Sequence, residues 1–454
     1  MKKRISIILL AISPFVFFKS ASAQSSGSQP AVYSLTEALR IANTRNLDIQ
    51  LSNAQLRNAG AGVVGAFGTF LPTVYFSSGY SRQLFQDEFT TINVGGIPQQ
   101  FRTGNPNNYT MNAGINYTIF NGFSREANYN SAQNSFKVAD LSMRQQHLDV
   151  AFNIHRQYID VMRNRQISQI RREDFTAGQK EVEAARARFE AGATAIAPVY
   201  AQETELGNRE LAIVQAENGV NIAKARLLAL MGLEPTENAE FLESSIPTTI
   251  TDTEIAAFRA EMGSTNAVLA AAFKNRSDVQ AAKARIDAAE DNLTVSRSGY
   301  FPTVSASTGW TWSNNELNDF DDRGRTFVGI NLDVPVFDNF RTNTQIQSAQ
   351  YLLSQSQIQQ QQLEQGIRNE VLTAVLNLDA AEKQLEITQR ALRSAEQNFK
   401  SAGERYKVGL ANITDFILAN NQYITAKINR INVVYNYLDA QNQVRYATGV
   451  LKTE

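Results

Sequence analysis

Two stretches decide how this 454-residue chain is read: GTFLPTVYFSSGY, residues 68–80, and GYFPTVSASTGWT, residues 299–311. Each passes from an aromatic residue through Pro-Thr-Val into an alternation of small residues, so the second restates the first. Pro72 falls on Pro302, Gly79 on Gly309 and Asp48 on Asp278 at an offset of 230. Further on the offset is 217, which sets Phe120 on Phe337, Arg188 on Arg405, Gly192 on Gly409 and Gly232 on Gly449. Self-similarity held over such a length is the mark of an internal duplication. The chain therefore divides into repeats over 24–232 and 266–454, with a connector over 233–265 that opens on a Pro-, Thr- and Glu-rich run.

Both repeats carry the same series of elements. A helical stretch (35–67; 266–298) precedes two strand-like segments with a polar loop between them, at about 82–107 and 313–325. A very long helix follows (124–190; 342–407), then a glycine turn and a last helix (198–230; 414–447). In the second long helix, Ile367, Val371, Ala374, Leu378, Ala381, Leu385, Thr388, Leu392, Ala395, Phe399, Ala402 and Tyr406 are spaced alternately by four and three. That 3.5-residue period requires a left-handed supercoil against a partner helix. A helix of about 65 residues is roughly 100 Å long at 1.5 Å per residue, too long for a compact globule.

The strands alternate strictly. In YTMNAGINYTI, residues 109–119, Tyr109, Met111, Ile115 and Tyr117 share one face, and Thr110, Asn112, Gly114, Asn116 and Thr118 share the other. In the second repeat Val304 and Trp310 continue the apolar set, as do Val328, Ile330 and Leu332. Eleven alternating residues suffice to cross the hydrocarbon of a bilayer when tilted. Tyr80, Tyr109, Trp310, Trp312 and Phe337 lie near strand ends, where an interfacial girdle uses amphipathic rings. These expectations make the chain a mixed α and β membrane protein with Tyr109, Met111, Ile115, Tyr117, Val304, Trp310, Val328, Ile330 and Leu332 facing lipid.

An open sheet edge is not tolerated in lipid, because each unpaired backbone group costs several kcal/mol. About four strands per chain fall short of the roughly eight of the smallest bacterial barrels. Copies must therefore share a barrel, and two, three or four copies satisfy this argument alike. The competing reading is a secreted coiled-coil structural or adhesion protein whose strands form a soluble sheet.

Other classes are excluded more simply. With 43 Lys and Arg against 44 Asp and Glu, the chain has no overall attraction for nucleic acid. It has no cysteine, hence no disulfide, thiolate metal site or cysteine-linked lipid anchor, and only two histidines, His147 and His155. No catalytic, metal-binding or cofactor-binding constellation is evident, and the six methionines are scattered. Residues 1–23 have the basic start, apolar centre and Ala-Ser-Ala end of a cleaved secretory signal peptide. No later stretch is apolar over the length of a spanning helix.

Nearly the whole mature chain, from SLTEAL (34–39) to Gly449-Val450-Leu451, resembles the TolC-like outer membrane efflux proteins. The resemblance is carried by the FLPTV and YFPTV strand starts, PVFDNFR (335–341), NRSDVQAA (275–282), RFEAGATAIAPV (188–199) and RYKVGLANITDF (405–416). It implies a homotrimer in which three sets of about four strands close a 12-stranded outer-membrane β-barrel, continued by a 12-helix periplasmic tunnel. It also implies a passive exit duct, opened by a periplasmic adaptor and an inner-membrane transporter. Arg188, Gly192, Arg405, Gly409 and Leu410 become the adaptor-docking candidates at the two Arg-x-x-x-Gly turns, and Asp415 with Tyr406 the periplasmic gate. At a second position where relatives carry an acidic residue this chain has Leu418, and Pro198 and Ala411 depart from the family's salt-bridge lock. Asp415 has an alternative reading as a helix N-terminal charge favoured by the helix dipole, and the arginines as ordinary helix ends.

Overall fold

The computed structural model describes residues 31–84, 89–102 and 106–453; the expected signal peptide lies outside the described residues. In chain order the elements are β1 (Ala31–Tyr33), α1 (Leu35–Arg45), α2 (Leu47–Gly68), β2 (Thr73–Arg82), β3 (Phe89–Val94), β4 (Ile97–Arg102), β5 (Asn107–Asn121), α3 (Ser124–Glu190) and α4 (Ala197–Leu230). There follow β6 (Ala239–Phe241), α5 (Asp252–Met262), α6 (Thr265–Asn275), α7 (Ser277–Arg297), β7 (Thr303–Asn314), α8 (Phe320–Arg323), β8 (Arg325–Asp333), α9 (Arg341–Lys407) and α10 (Ile413–Ala447).

The helical stretch anticipated over 35–67 is broken at Asn46. Its side-chain oxygen accepts from the backbone N–H of Asp48 and Ile49, its N–H closes α1 on Ala42, and its amide donates to the Leu230 carbonyl. An Asn offering the backbone such local bonds ends one helix and starts the next. Arg276 makes the matching break between α6 and α7, reaching Asp278, Glu370 and the Ala447 carbonyl.

Helices α3 and α9 each run 67 residues without interruption. Both are entered through two consecutive left-handed residues, Gly122-Phe123 and Asn339-Phe340. The Asn121 and Asp338 side chains accept from the N–H of Arg125 and Thr342, satisfying first-turn donors that the helix cannot. Toward the strands α3 lies between α2 and α7, with Ser131 and Asn134 bonded to Asn292 and Asp291. Toward the glycine turns it lies between α4 and α10. The heptad seam of α9 is buried as Ile367, Val371, Ala374, Leu378, Ala381 and Leu385, packed with Val433, Val434, Tyr437, Ala440 and Val444 of α10.

Around mid-helix the repeats are tied together. β1 pairs in parallel with β6, and Arg259 of α5 pairs with Asp379 and Glu382 of α9. Tyr446 donates to Asp149 at 2.8 Å. Both histidines sit here in packing positions, His147 at 3.1 Å from Asn43 and His155 at 3.3 Å from the Lys452 carbonyl. Burial lowers the pKa of each.

The main sheet is antiparallel, in the order β2-β5-β7-β8. Each repeat supplies a hairpin, and β5 with β7 joins them. Two loops hold more structure than anticipated. The 82–107 segment contains the β3–β4 hairpin, turned by Gly95 and Gly96, both at positive φ as a tight two-residue hairpin turn requires. The 313–325 segment contains α8.

Candidate functional site

Three regions bear on function: the two helix turns, a buried polar cluster above them, and the strand wall. Both turns close alike. Gly192 at φ +72 donates to Phe189, and Ala193 to the Arg188 carbonyl at 2.9 Å. Gly409 at φ +77 donates to Tyr406, and Leu410 to the Arg405 carbonyl at 2.8 Å. This is a Schellman ending, and it needs a residue that accepts a left-handed backbone. A Cβ at either glycine would meet nothing within 4 Å, so backbone angle alone accounts for the residue type. Arg188 and Arg405 sit in the last turns, where a cation is favoured by the helix dipole.

Beyond that the two arginines part. Arg188 reaches from the first repeat to lie 5.5 Å from the centroid of the Tyr406 ring in the second. Tyr406 stacks on Phe416 (5.4 Å, 10°), Phe416 on Phe399 (5.7 Å, 28°) and Phe399 on Tyr423 (5.3 Å, 7°), and the Lys427 ammonium lies over Tyr423. A ladder of four rings with a cation at each end thus spans the lower α9–α10 pair. Arg188 and Tyr406, expected in separate roles, are in contact and line a cavity of about 220 Å³ with Lys180, Gln202 and Phe416. Arg405, Leu410 and Asp415 are exposed. The Asp415 N–H donates to the Asn412 side chain at 2.8 Å, so this carboxylate stands in the first turn of α10.

The sequence reading missed the polar cluster. Arg209 of α4 and Asp174 of α3 have side chains only 3% exposed. One guanidinium nitrogen donates to the Asp174 carbonyl at 3.0 Å and lies 3.5 Å from its carboxylate. Glu181 is 3.2 Å from the other terminal nitrogen, and Glu205 3.8 Å from Nε. Asn420 of α10 donates to Asp174 at 3.0 Å, carrying the cluster into the second repeat. Three carboxylates share one buried guanidinium, Asp174 buried and Glu181 and Glu205 partly so, and burial pushes the Glu181 pKa up, with Arg209 opposing the rise and Asp174 adding to it. Gly178 makes the arrangement possible, since a Cβ there would stand 2.6 Å from Arg209. A lone glycine inside a helical pattern was the available signal.

On the strand wall, directly paired residues share a face. The rows Val74–Ile115–Thr308–Val328 and Phe76–Ala113–Trp310–Thr326 therefore define one side. The nine residues anticipated for the lipid side (Tyr109, Met111, Ile115, Tyr117, Val304, Trp310, Val328, Ile330 and Leu332) all fall on that side. The opposite side carries Ser77, Asn112, Thr311, Ser307 and Asn116. Within this single chain Val328 is 83% exposed. Trp312 departs from the expected interfacial ring: it is 1% exposed, stacked at 4.5 Å on Phe320, with its indole N–H donating to the Asp319 carbonyl. The short helix α8 folds back over it, a packing that strand alternation does not report.

Among the described residues no cluster of His, Asp and Glu is suited to a metal, and no helix is long and apolar enough to cross a membrane. Residues 38–233 and 268–450 match the family model of the outer membrane efflux protein. Over 421 residues the chain is 23% identical to the outer membrane efflux protein BepC of Brucella suis biovar 1, covering 91% of this chain and 85% of that one. It is 24% identical over 362 residues to the outer membrane protein TolC of Vibrio cholerae serotype O1, covering 76% and 78%. The solved CmeC outer membrane channel of Campylobacter jejuni superposes with a TM-score of 0.75 at 18% identity, covering 92% of this chain and 86% of that one.

Proposed function

Since the chain belongs to the outer membrane efflux protein family, we propose that it is the outer-membrane exit duct of a tripartite efflux pump or type I secretion system. It works as a homotrimer and supplies no energy of its own. The observation that carries this reading is a four-stranded sheet with one apolar, solvent-facing side and two free lateral edges, β2 and β8. The helices support it: exposed Tyr351, Leu352 and Leu372 of α9 belong to the β8 side, and exposed Leu51 of α2 with Leu211 and Val214 of α4 to the β2 side. Unlike edges meeting head to tail make a heterologous contact, which forms a ring when its rotation closes. Three copies of four strands give a 12-stranded barrel, with the apolar side against lipid and the hydroxyl and amide side lining water. The long helices continue it as a periplasmic tunnel.

In this reading the chain is exported with residues 1–23 removed, the repeats 24–232 and 266–454 form the wall, and 233–265 belts it at mid-height. An adaptor docks at Arg188, Gly192, Arg405, Gly409 and Leu410. Contact at Arg188 bears directly on Tyr406, so docking disturbs the ring ladder that holds α9 and α10 near their turn. Three Asp415 carboxylates at the narrow end attract cations and repel anions. The inner-membrane transporter selects the cargo and drives it.

Because the chain contains no cysteine, single cysteines placed along β2 and along β8 give a clean test. Oxidation of outer-membrane extracts is expected to yield ladders ending at covalent trimers for one register of β2–β8 pairs. Native protein recovered without detergent as a monomer, with every pair closing only within one chain, would refute the duct.

A further inference from the structure

On the face of the sheet opposite the apolar side, one transverse row differs from the rest: Tyr75, Gly114, Gly309 and Phe327 are directly paired across all four strands. The two inner positions are glycines, and the outer rings reach over them. A Cβ on Gly114 would stand 2.7 Å from the Tyr75 phenol oxygen and 2.8 to 2.9 Å from two of its ring carbons, and one on Gly309 would stand 3.2 Å from a ring carbon of Phe327, beyond the Ala113 carbonyl oxygen at 2.6 Å. Each ring thus fills space that a side chain on its paired glycine would occupy. Covering the glycines does not bury them, because Tyr75 remains 38% and Phe327 42% exposed.

They are the two aromatic side chains on this face of the four strands. Their surroundings are hydroxyls and amides that bond one another, as in Thr311 to Asn112 at 2.6 Å and Ser313 to Asn108 at 3.0 Å. The neighbouring row, Ser77–Asn112–Thr311–Arg325, ends in an exposed guanidinium on the same face, two residues along β8 from Phe327.

We propose that Tyr75 and Phe327, with Arg325 beside them, form a stacking site for planar aromatic anions on the inner wall of the duct. The inference rests on the barrel reading, which turns this face toward the lumen. A ring packed over a glycine and still partly exposed offers that exposed part to a solute, and offset stacking on it favours planar solutes over aliphatic ones of equal charge. Arg325 adds a charge partner for a carboxylate or sulfonate within reach of the stacked ring. The remainder of this face on the four strands carries hydroxyls, amides and, at the far end of β8, the Asp333 carboxylate, and offers no second aromatic tier, so cargo is slowed at one tier only.

The test uses the full trimer in planar bilayers, with 2-naphthoate as probe and cyclohexanecarboxylate as the charge-matched, non-planar control. Half-block of the open-channel current is expected at a roughly threefold to tenfold lower concentration of naphthoate, the ratio for one ring–ring contact of about 0.5–1.5 kcal/mol. Phe327→Leu and Tyr75→Ser should remove that difference, Tyr75→Phe should keep it, and Arg325→Gln should weaken block by both anions. A conducting channel that both anions block equally overturns the stacking site even if every variant fails to assemble. A native protein recovered without detergent as a monomer defeats the duct itself, a separate failure.

Discussion

Replacing Arg209 by Met tests the buried cluster most directly. Methionine matches the length of the arginine stem but removes the cation shared by Asp174, Glu181 and Glu205, and Asp174 lies with its side chain 3% exposed. Breaking a buried pair by deleting one partner costs about 3–5 kcal/mol, because the remaining charge is left without compensation. The added apolar burial of the Met side chain returns no more than about 1 kcal/mol. The expected net loss of about 3 kcal/mol corresponds to roughly a hundredfold faster local opening. Hydrogen exchange in peptides covering 170–185 and 202–213, corrected for intrinsic rates, reads it. The acid dependence has a definite sign. Burial already holds the Glu181 pKa above its ordinary 4.5, and Arg209 is what restrains the rise. A carboxyl whose folded pKa exceeds its unfolded one weakens the folded state above that folded pKa, and the penalty disappears as pH falls through the window down to the unfolded value. The variant should therefore regain protection on acidification more than the native protein does, and Asp174→Asn added to Arg209→Met should restore much of it at neutral pH. Exchange in the single variant within threefold of native at neutral pH, or a defect indifferent to pH, would refute a charge cluster that is both buried and coupled.

Gly178→Ala should destabilise the same region by about 1–3 kcal/mol through displacement of the guanidinium, although alanine is the better helix former by about 1 kcal/mol. Combined with Arg209→Met it should become neutral or favourable in the same exchange experiment. Gly192→Ala and Gly409→Ala should each cost about 1–2 kcal/mol through the left-handed backbone angle alone, leaving the oligomeric state that of the native protein while amides of the two turns exchange faster; asparagine at either site should cost less. Gly309→Ala places a Cβ 2.6 Å from the Ala113 carbonyl oxygen, so the β5–β7 pairing should loosen, read as faster hydrogen exchange in peptides covering 109–119 and 303–314. On the proposed duct reading, Asp415→Asn should weaken cation preference and block by multivalent cations in planar bilayers, and unchanged values of both would count against an Asp415 ring at the narrow end.

Much of this protein follows from local pattern. The offset-217 duplication, the four-three spacing of Ile367 to Tyr406 and the alternation of Tyr109 to Ile119 are written along the chain. Periodicity dictates element type because it states which side chains share a face, so two 67-residue helices and the two-sided strands were legible, as were glycine turns at 192 and 409. Other features depend on which distant segments meet. That β5 pairs with β7 and aligns Gly114 with Gly309 is a matter of register, chosen by how side chains fit across strands rather than by either strand's own pattern. Trp312 under α8, Arg188 over Tyr406, and Arg209 threaded past Gly178 toward Asp174 and Asn420 arise the same way. Asp174 and Asn420 are 246 positions apart, and no periodic signal links them. The charge and the amide are plain in the sequence, but only the packing of three helices excludes the water that would otherwise make their meeting inconsequential.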